Sequence, residues 1–192
     1  MKEIILIGGG GHCKSVIDVI EQEGRFKIVG IIDKPELLGT KVLGYQVIGN
    51  DSDLGDLAQK YKYALVTVGQ IKSPLLRIKL FSLAVEAGFM LPSIVSPNAY
   101  VSQYASIGNG VVVMHAALIN ADTIVEDNCI INSKALIEHD CRISTHCHIS
   151  TNATINGGVI VESECFIGSG SITKELITIK KGSFVKAGSL VT

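Results

Sequence analysis

The chain has no tryptophan, an aromatic share of 5% and charged residues at only 18% of its 192 positions. With 47% of residues apolar, its core must rest mainly on aliphatic and small side chains. A net charge of −1 leaves no electrostatic case for nucleic acid or an anionic membrane. No apolar run approaches the ~20 residues that span a bilayer. The opening Met-Lys-Glu-Ile-Ile-Leu-Ile reaches glycine too soon for a signal peptide, so cytoplasmic residence is expected. No zinc-type CxxC pair is present, and an odd total of five cysteines argues against a disulfide framework.

What is present is a period. From Val95, steps of six reach Val101, Ile107, Val113, Ile119, Val125, Ile131, Ile137, Ile143, Ile149, Ile155, Val161 and Ile167, then Thr173, Ile179, Val185 and Val191. Four residues after each lies a second, mostly small set that includes Ala117, Cys129, Ala135, Cys141, Cys147, Ala153, Cys165 and Ser171. A six-residue repeat is the signature of a parallel β-helix. Each hexad supplies one short strand and a corner, and three close a triangular coil of 18 residues. Coils stack at roughly 4.8 Å. The four cysteines of the second set read as buried small hydrophobes.

Ahead of the repeat, the pattern alternates between strand and helix. An apolar run over 2–7 meets Gly8-Gly9-Gly10-Gly11-His12, and an amphipathic helix starts near His12. A strand over 27–32 ends at Asp33, and a short one covers 46–48. A helix follows from Asp51 or Ser52 as N-cap, then a strand over 63–68 and a helix opened by Ser73-Pro74. This predicts a small α/β domain, Rossmann-like with a parallel sheet, over 1–92, and the β-helix over 93–192. The glycine loop reads either as a tight turn or as a phosphate cradle at a helix N-terminus. Asp33 suits a ribose or base hydroxyl, and the domain suits a mononucleotide-sized ligand better than a dinucleotide.

Within the repeat, Glu138-His139-Asp140 breaks the monotony. His139 lies two past its aliphatic residue, at a corner, so it is no core histidine. One coil on, Glu138 lies under Asn156, His139 under Gly157 and Asp140 under Gly158, leaving a shelf beside the imidazole. Imidazole accepts protons near neutral pH, and a neighbouring carboxylate can hold its tautomer. Asp140 is first choice for that partner and Glu138 second. The bland alternative is an exposed histidine on an acidic edge. His115 and His146 read as surface residues, and His148 as reaching across a corner. No two of the histidines 115, 139, 146 and 148 differ by a multiple of 18, so a zinc site of stacked ligands is not expected.

Gly8-Gly-Gly-Gly-His12, the strand ending at Asp33, Val68-Gly69, Asn132, Ile137-Glu-His-Asp140, His148-Ile-Ser-Thr-Asn152 and Asn156-Gly-Gly158 together carry a resemblance over essentially the whole chain. They resemble the bacterial sugar acyltransferases that include sialic acid O-acetyltransferase and the bacillosamine-pathway UDP-amino-sugar N-acetyltransferase. The resemblance implies a left-handed coil of hexapeptide repeats, a homotrimer with active sites between subunits, and acetyl-CoA as co-substrate without a metal. It implies His139 as general base positioned by Asp140. Asn132, His148, Gly157, Gly168, Ser169, Ala187 and Gly188 would contact acetyl-CoA. Gly10, Gly11, His12, Asp33 and Gly69 would hold the nucleotide of the activated sugar. Two features depart from the pattern: the sequence stops at Thr192, where relatives continue into a proline-containing tail, and Ser96 replaces a frequent histidine. The expectation is N-acetylation of a nucleotide-linked 4-amino sugar for bacterial surface glycans. O-acetylation of a sialic-acid-like sugar, or a non-catalytic trimeric scaffold or sensor, are the alternatives.

Overall fold

The computed structural model describes residues 1–192 and divides into two compact units, Met1–Gly69 with Leu75–Pro92, and Gln70–Pro74 with Ser93–Thr192. The first unit is built from β1 (Lys2–Ile7), α1 (Gly11–Glu23), β2 (Phe26–Ile32), β3 (Lys41–Val42), β4 (Tyr45–Gly49), α2 (Leu54–Lys60), β5 (Tyr63–Val66) and α3 (Leu75–Glu86). Its sheet runs β3-β4-β2-β1-β5, parallel throughout except for the β3–β4 hairpin. Ile5, Ile7, Ile32, Val66 and Leu80 are among its buried core. Gly24 ends α1 in the left-handed conformation at φ 69°, its N–H donating to the Ile20 carbonyl.

Two local expectations are corrected. The strand expected over 63–68 stops at Val66: the Thr67 N–H still donates to the Ile7 carbonyl at 2.8 Å, and side chains make the bonds beyond it. The Thr67 hydroxyl donates to the Gly8 carbonyl at 2.6 Å, and the buried Arg77 guanidinium donates to the carbonyls of Val66 and Val68 at 2.8 Å each. The helix cap lies at Asn50 rather than at Asp51 or Ser52. Asn50 Oδ1 accepts from the Ser52 N–H and Asp53 Oδ2 from the Asn50 N–H, a reciprocal box that winds Asp51–Asp53 into a 3-10 turn before α2.

The second unit is the left-handed parallel β-helix. Two-residue strands from Ile94–Val95 to Leu190–Val191 pair in parallel at a register of 18, as in Leu118↔Leu136 and Ile119↔Ile137. They form three faces. The first holds Val101, Ile119, Ile137, Ile155, Thr173 and Val191; the second, Ile107 to Ile179; the third, Val95 to Val185. Both inward sets of the repeat are buried through the middle coils. Thr173, the exception among the aliphatics, is buried too, and its hydroxyl accepts from the Asn156 N–H at 2.9 Å.

The corners explain the rest of the hexad. Every sixth residue from Gly110 to Gly188 takes a positive φ, non-glycine occupants included, so each unit turns through one left-handed residue. Cys129, Cys147 and Cys165 are buried on successive coils, and each thiol donates to the carbonyl of a residue 15 positions ahead. All five cysteines are buried and free.

Candidate active site

At the corner between the first and second faces, Ile137 anchors its strand in the core. The next residues therefore leave the prism, which exposes 61% of the His139 side chain. Asp140 takes the left-handed turn position at φ 60°, which swings its carboxylate beside the ring. His139 Nδ1 donates to Asp140 Oδ2 at 2.6 Å. A carboxylate only accepts, so this bond holds the proton on Nδ1 and leaves the Nε2 lone pair free to take another. The same bond raises the imidazole pKa above its ordinary value, against a smaller opposing effect of desolvation; the charges of Asp140 and Glu138 add to the rise. Glu138, the second choice of partner, is held instead by Asn120 Nδ2 at 2.8 Å.

The rung above is shaped to this ring. The Gly158 N–H donates to the His139 carbonyl at 3.0 Å. A Cβ on Gly157 would lie 2.9 Å from His139 Cε1 and 3.0 Å from Nε2, so only a residue without a side chain leaves the imidazole where it is. Glu138, His139, Asp140, Asn156, Gly157, Gly158, Glu175 and Leu176 line a groove of about 700 Å³. Glu175 and Leu176 were missed by the sequence reading, although the register of 18 that placed Gly157 over His139 also places Glu175 over Gly157.

His148 is not at a corner. It lies in the strand His148–Ile149, on the outer side of the third face, and is 5% exposed. Its Nδ1 donates to the Gln70 carbonyl at 2.5 Å, Nε2 accepts from Asn132 Nδ2 at 3.1 Å, and Phe166 packs edge-on against the ring. A strand residue with its aliphatic successor turned inward must itself point outward, and residues 70–74 lie with this unit. His115 and His146 are half-buried rather than plain surface residues. His115 Nδ1 shares a hydrogen bond with Ser96 Oγ at 2.7 Å, and His146 Nδ1 accepts from the buried Asn128 at 3.0 Å. Both corrections have one cause: a coil stacked 18 or 19 residues away covers them.

Asn132, Gly168, Ser169, Ala187 and Gly188 line the corner between the third and first faces. Ser169 Oγ bonds Ser150 Oγ at 2.9 Å, and Gly168 is covered by the backbone of 185–187. Within one chain, this corner and the His139 corner occupy opposite edges of the first face. They are not brought together.

In the first unit, tight packing falls on Gly8 and Gly9 rather than on the glycines expected to hold the nucleotide. Gly8 has φ 105° and abuts Val68, and a Cβ on Gly9 would meet Asp33 Oδ2 at 2.9 Å. Gly10 and Gly11 face open space at the start of α1, and Gly69 packs on the His12 Cβ. Asp33 accepts from the N–H groups of Gly9 at 2.6 Å and Lys34 at 2.8 Å. Beside it, Gly8, Lys34, Asn50, Ser52, Val68 and Leu76 line part of a cavity of about 390 Å³. No three His, Cys, Asp or Glu side chains gather as a metal ion would need, and no helix is long and apolar enough to cross a membrane.

A left-handed hexapeptide-repeat coil behind a small α/β domain, with a histidine–carboxylate pair at a glycine-cleared corner, is the plan of the hexapeptide-repeat acyltransferases. Residues 3–82 match the family model described as the PglD N-terminal domain. The chain is similar to a histidine-to-asparagine variant of perosamine N-acetyltransferase from Caulobacter crescentus, solved with CoA and GDP-perosamine. Identity is 34% over 100% of this chain and 89% of that one, with a TM-score of 0.92. It is 30% identical to the acetyltransferase domain of PglB from Neisseria gonorrhoeae, over 100% of this chain and 92% of that one, TM-score 0.92. That domain was also solved with acetyl coenzyme A, at a TM-score of 0.89. No curated protein matches. The chain belongs to the hexapeptide-repeat sugar N-acetyltransferases.

Proposed function

We propose that this protein transfers the acetyl group of acetyl-CoA to the amine of a nucleotide-linked 4-amino sugar destined for a bacterial surface glycan. The observation that carries this reading is the His139–Asp140 pair, with Nε2 free and Gly157 clearing the space beside it. In the reaction, the sugar nitrogen attacks the thioester carbonyl carbon while His139 Nε2 takes the proton that nitrogen sheds. The tetrahedral adduct then collapses, the C–S bond breaks, and CoA leaves as a thiolate to be reprotonated. Asp140 holds the proton on Nδ1 and stabilises the imidazolium.

Acetyl-CoA would run along the corner of Asn132, Gly168, Ser169, Ala187 and Gly188, with His148 and Gly157 beside its thioester end. The nucleotide would sit at the cavity beside Asp33, near Gly10, Gly11, His12 and Gly69. A ring of three copies, first faces toward a common axis, sets the His139 corner of each subunit against the cofactor corner of its neighbour. A head-to-tail contact forms a ring when its rotation closes, and the ring proposed has three copies. This reading places a homotrimer in the cytoplasm with active sites between subunits.

The test is CoA release with UDP-, GDP- and CMP-linked and free amino sugars, run on the parent and on His139→Ala. The expected result is turnover with a nucleotide-linked amine, a loss of about 10²–10⁴ in rate for His139→Ala, and a solution mass of three chains. Unchanged turnover in His139→Ala, or a monomer with full activity, would refute it.

A further inference from the structure

Arg77 lies on α3 and is 1% exposed, although an arginine always carries its charge. Withdrawing a guanidinium from water is costly unless its donors are met, and here Nη1 is spent on the backbone. β5 is the edge strand of its sheet. The Thr67 N–H faces inward, to the Ile7 carbonyl, so the carbonyls of Val66 and Val68 face the open edge. Arg77 Nη1 donates to both, at 2.8 Å each. From the inner side, the buried Thr67 hydroxyl reaches the Gly8 carbonyl at 2.6 Å. An apolar side chain could fill the space of the guanidinium without the desolvation. The charge therefore points to a need for these carbonyls to stay where they are.

The two side chains grip residues 66–68 from opposite sides, and what they grip is the wall of a cavity. Val68 lines the cavity beside Asp33, as do Leu76 and Leu80 of α3, on either side of Arg77 in sequence. Val68 also leans on the glycine loop: a Cβ on Gly8 would lie 2.3 Å from Val68 Cγ2. The Gly8 N–H is fixed as well, donating to the Ile32 carbonyl at 2.7 Å. Two residues on, Gly10 caps and Gly11 opens α1 with no side-chain cap. The direction in which the first amides of that helix point is therefore set by how Gly8 is held.

We propose that Arg77 and Thr67 are positioning residues for nucleotide binding: they hold Val68 and Gly8 so that the cavity beside Asp33 and the amides at the start of α1 are formed before the nucleotide arrives. The inference rests on the reading that this cavity takes the nucleotide. Both residues act through the backbone, and neither lines the cavity. A ligand that finds the wall already in place has no loop to order, and its affinity is higher for that reason.

The variants are Thr67→Val, which keeps the shape and drops the hydroxyl, and Arg77→Lys, which keeps the charge and loses the planar fork. Binding of UDP, GDP and CMP is measured by calorimetry. KM values for acetyl-CoA and for the nucleotide-linked amino sugar that turns over come from CoA release. The parent should bind at least one of the three nucleotides. Thr67→Val should weaken that binding about fivefold and Arg77→Lys about tenfold, the scale of one bond to a neutral and to a charged group. The nucleotide-sugar KM should rise in step, with kcat and the acetyl-CoA KM at the parent's values. A purely structural role gives the opposite split, because fewer folded molecules lower kcat and leave both KM values alone. That split, or unchanged nucleotide affinity in either folded variant, would overturn the proposal. Should Arg77→Lys fail to fold, the isosteric Thr67→Val decides alone. A parent that binds none of the three nucleotides overturns the nucleotide reading of the cavity and this inference with it; a nucleotide bound equally by parent and variants overturns only the role of Arg77 and Thr67.

Discussion

Replacing Gly157 with alanine adds one carbon, and the structure fixes where it goes. The new Cβ would stand 2.9 Å from His139 Cε1, 3.0 Å from Nε2 and 3.5 Å from Nδ1. Ordinary carbon contacts begin near 3.5 Å, so the ring must retreat by about half an ångström at its inner edge. Gly157 itself is not in the left-handed region, and the ring it strikes is exposed. The backbone therefore has no reason to move, and the fold should melt within a few degrees of the parent. The imidazole has little room to adjust, because Nδ1 is tied to Asp140 at 2.6 Å. It either rotates off its rotamer, costing about 0.5–1.5 kcal/mol, or breaks that bond. A misplacement approaching 1 Å at a reacting group costs about 10² in rate. The assay pairs steady-state CoA release with a thermal melt. An inactive variant that melts like the parent is the expected outcome. An alanine variant with full activity and an unmoved pH profile would refute the claim that this glycine exists to clear space for the base.

Two further outcomes follow from the same geometry. His139 acts as a base only when neutral, and Asp140 raises its pKa, so the acid limb of the kcat/KM profile should lie above the ordinary imidazole value. Asp140→Asn removes the charge and leaves only a neutral, weaker acceptor, so the limb should move to lower pH while the plateau falls by about tenfold or more; an unmoved limb would show that Asp140 does not set it. The thiols test the core. Burial pushes Cys13 up to about 11 and raises Cys141. Cys147 and Cys165 are raised chiefly by their stacked thiol neighbours. At pH 8, therefore, the native chain should leave all five cysteines unmodified by a thiol reagent that labels all five in denaturant. Fast labelling of Cys147 in the folded protein would contradict its place in the stack.

Much of this site was legible because the β-helix is nearly one-dimensional. Once a hexad winds three to a turn, a residue's vertical neighbour is read by adding 18, and Gly157 over His139 follows by arithmetic. The Asp140 partnership needed only adjacency and a corner. His148 was misread because its outward direction was clear but the segment lying against it was not. Residues 70–74 come from far away in sequence, and no period announces them. His115 and His146 were taken for surface residues because a neighbour at 18 or 19 positions covers the ring only when its own side chain turns that way. In the α/β unit, Gly8 and Gly9 matter through contacts with Val68 and Asp33, partners on other strands that a glycine run does not reveal.

The sequence by itself determined the coil, its register, its buried column and the corner on which the proton acceptor stands, because a repeating inward residue leaves the backbone one way to stack. Only the tertiary structure decided the rest: the tautomer imposed on His139, the enclosure of His148 by Gln70, and the two glycines that pack tightly. Those depend on side-chain directions and on segments distant along the chain, which spacing does not encode.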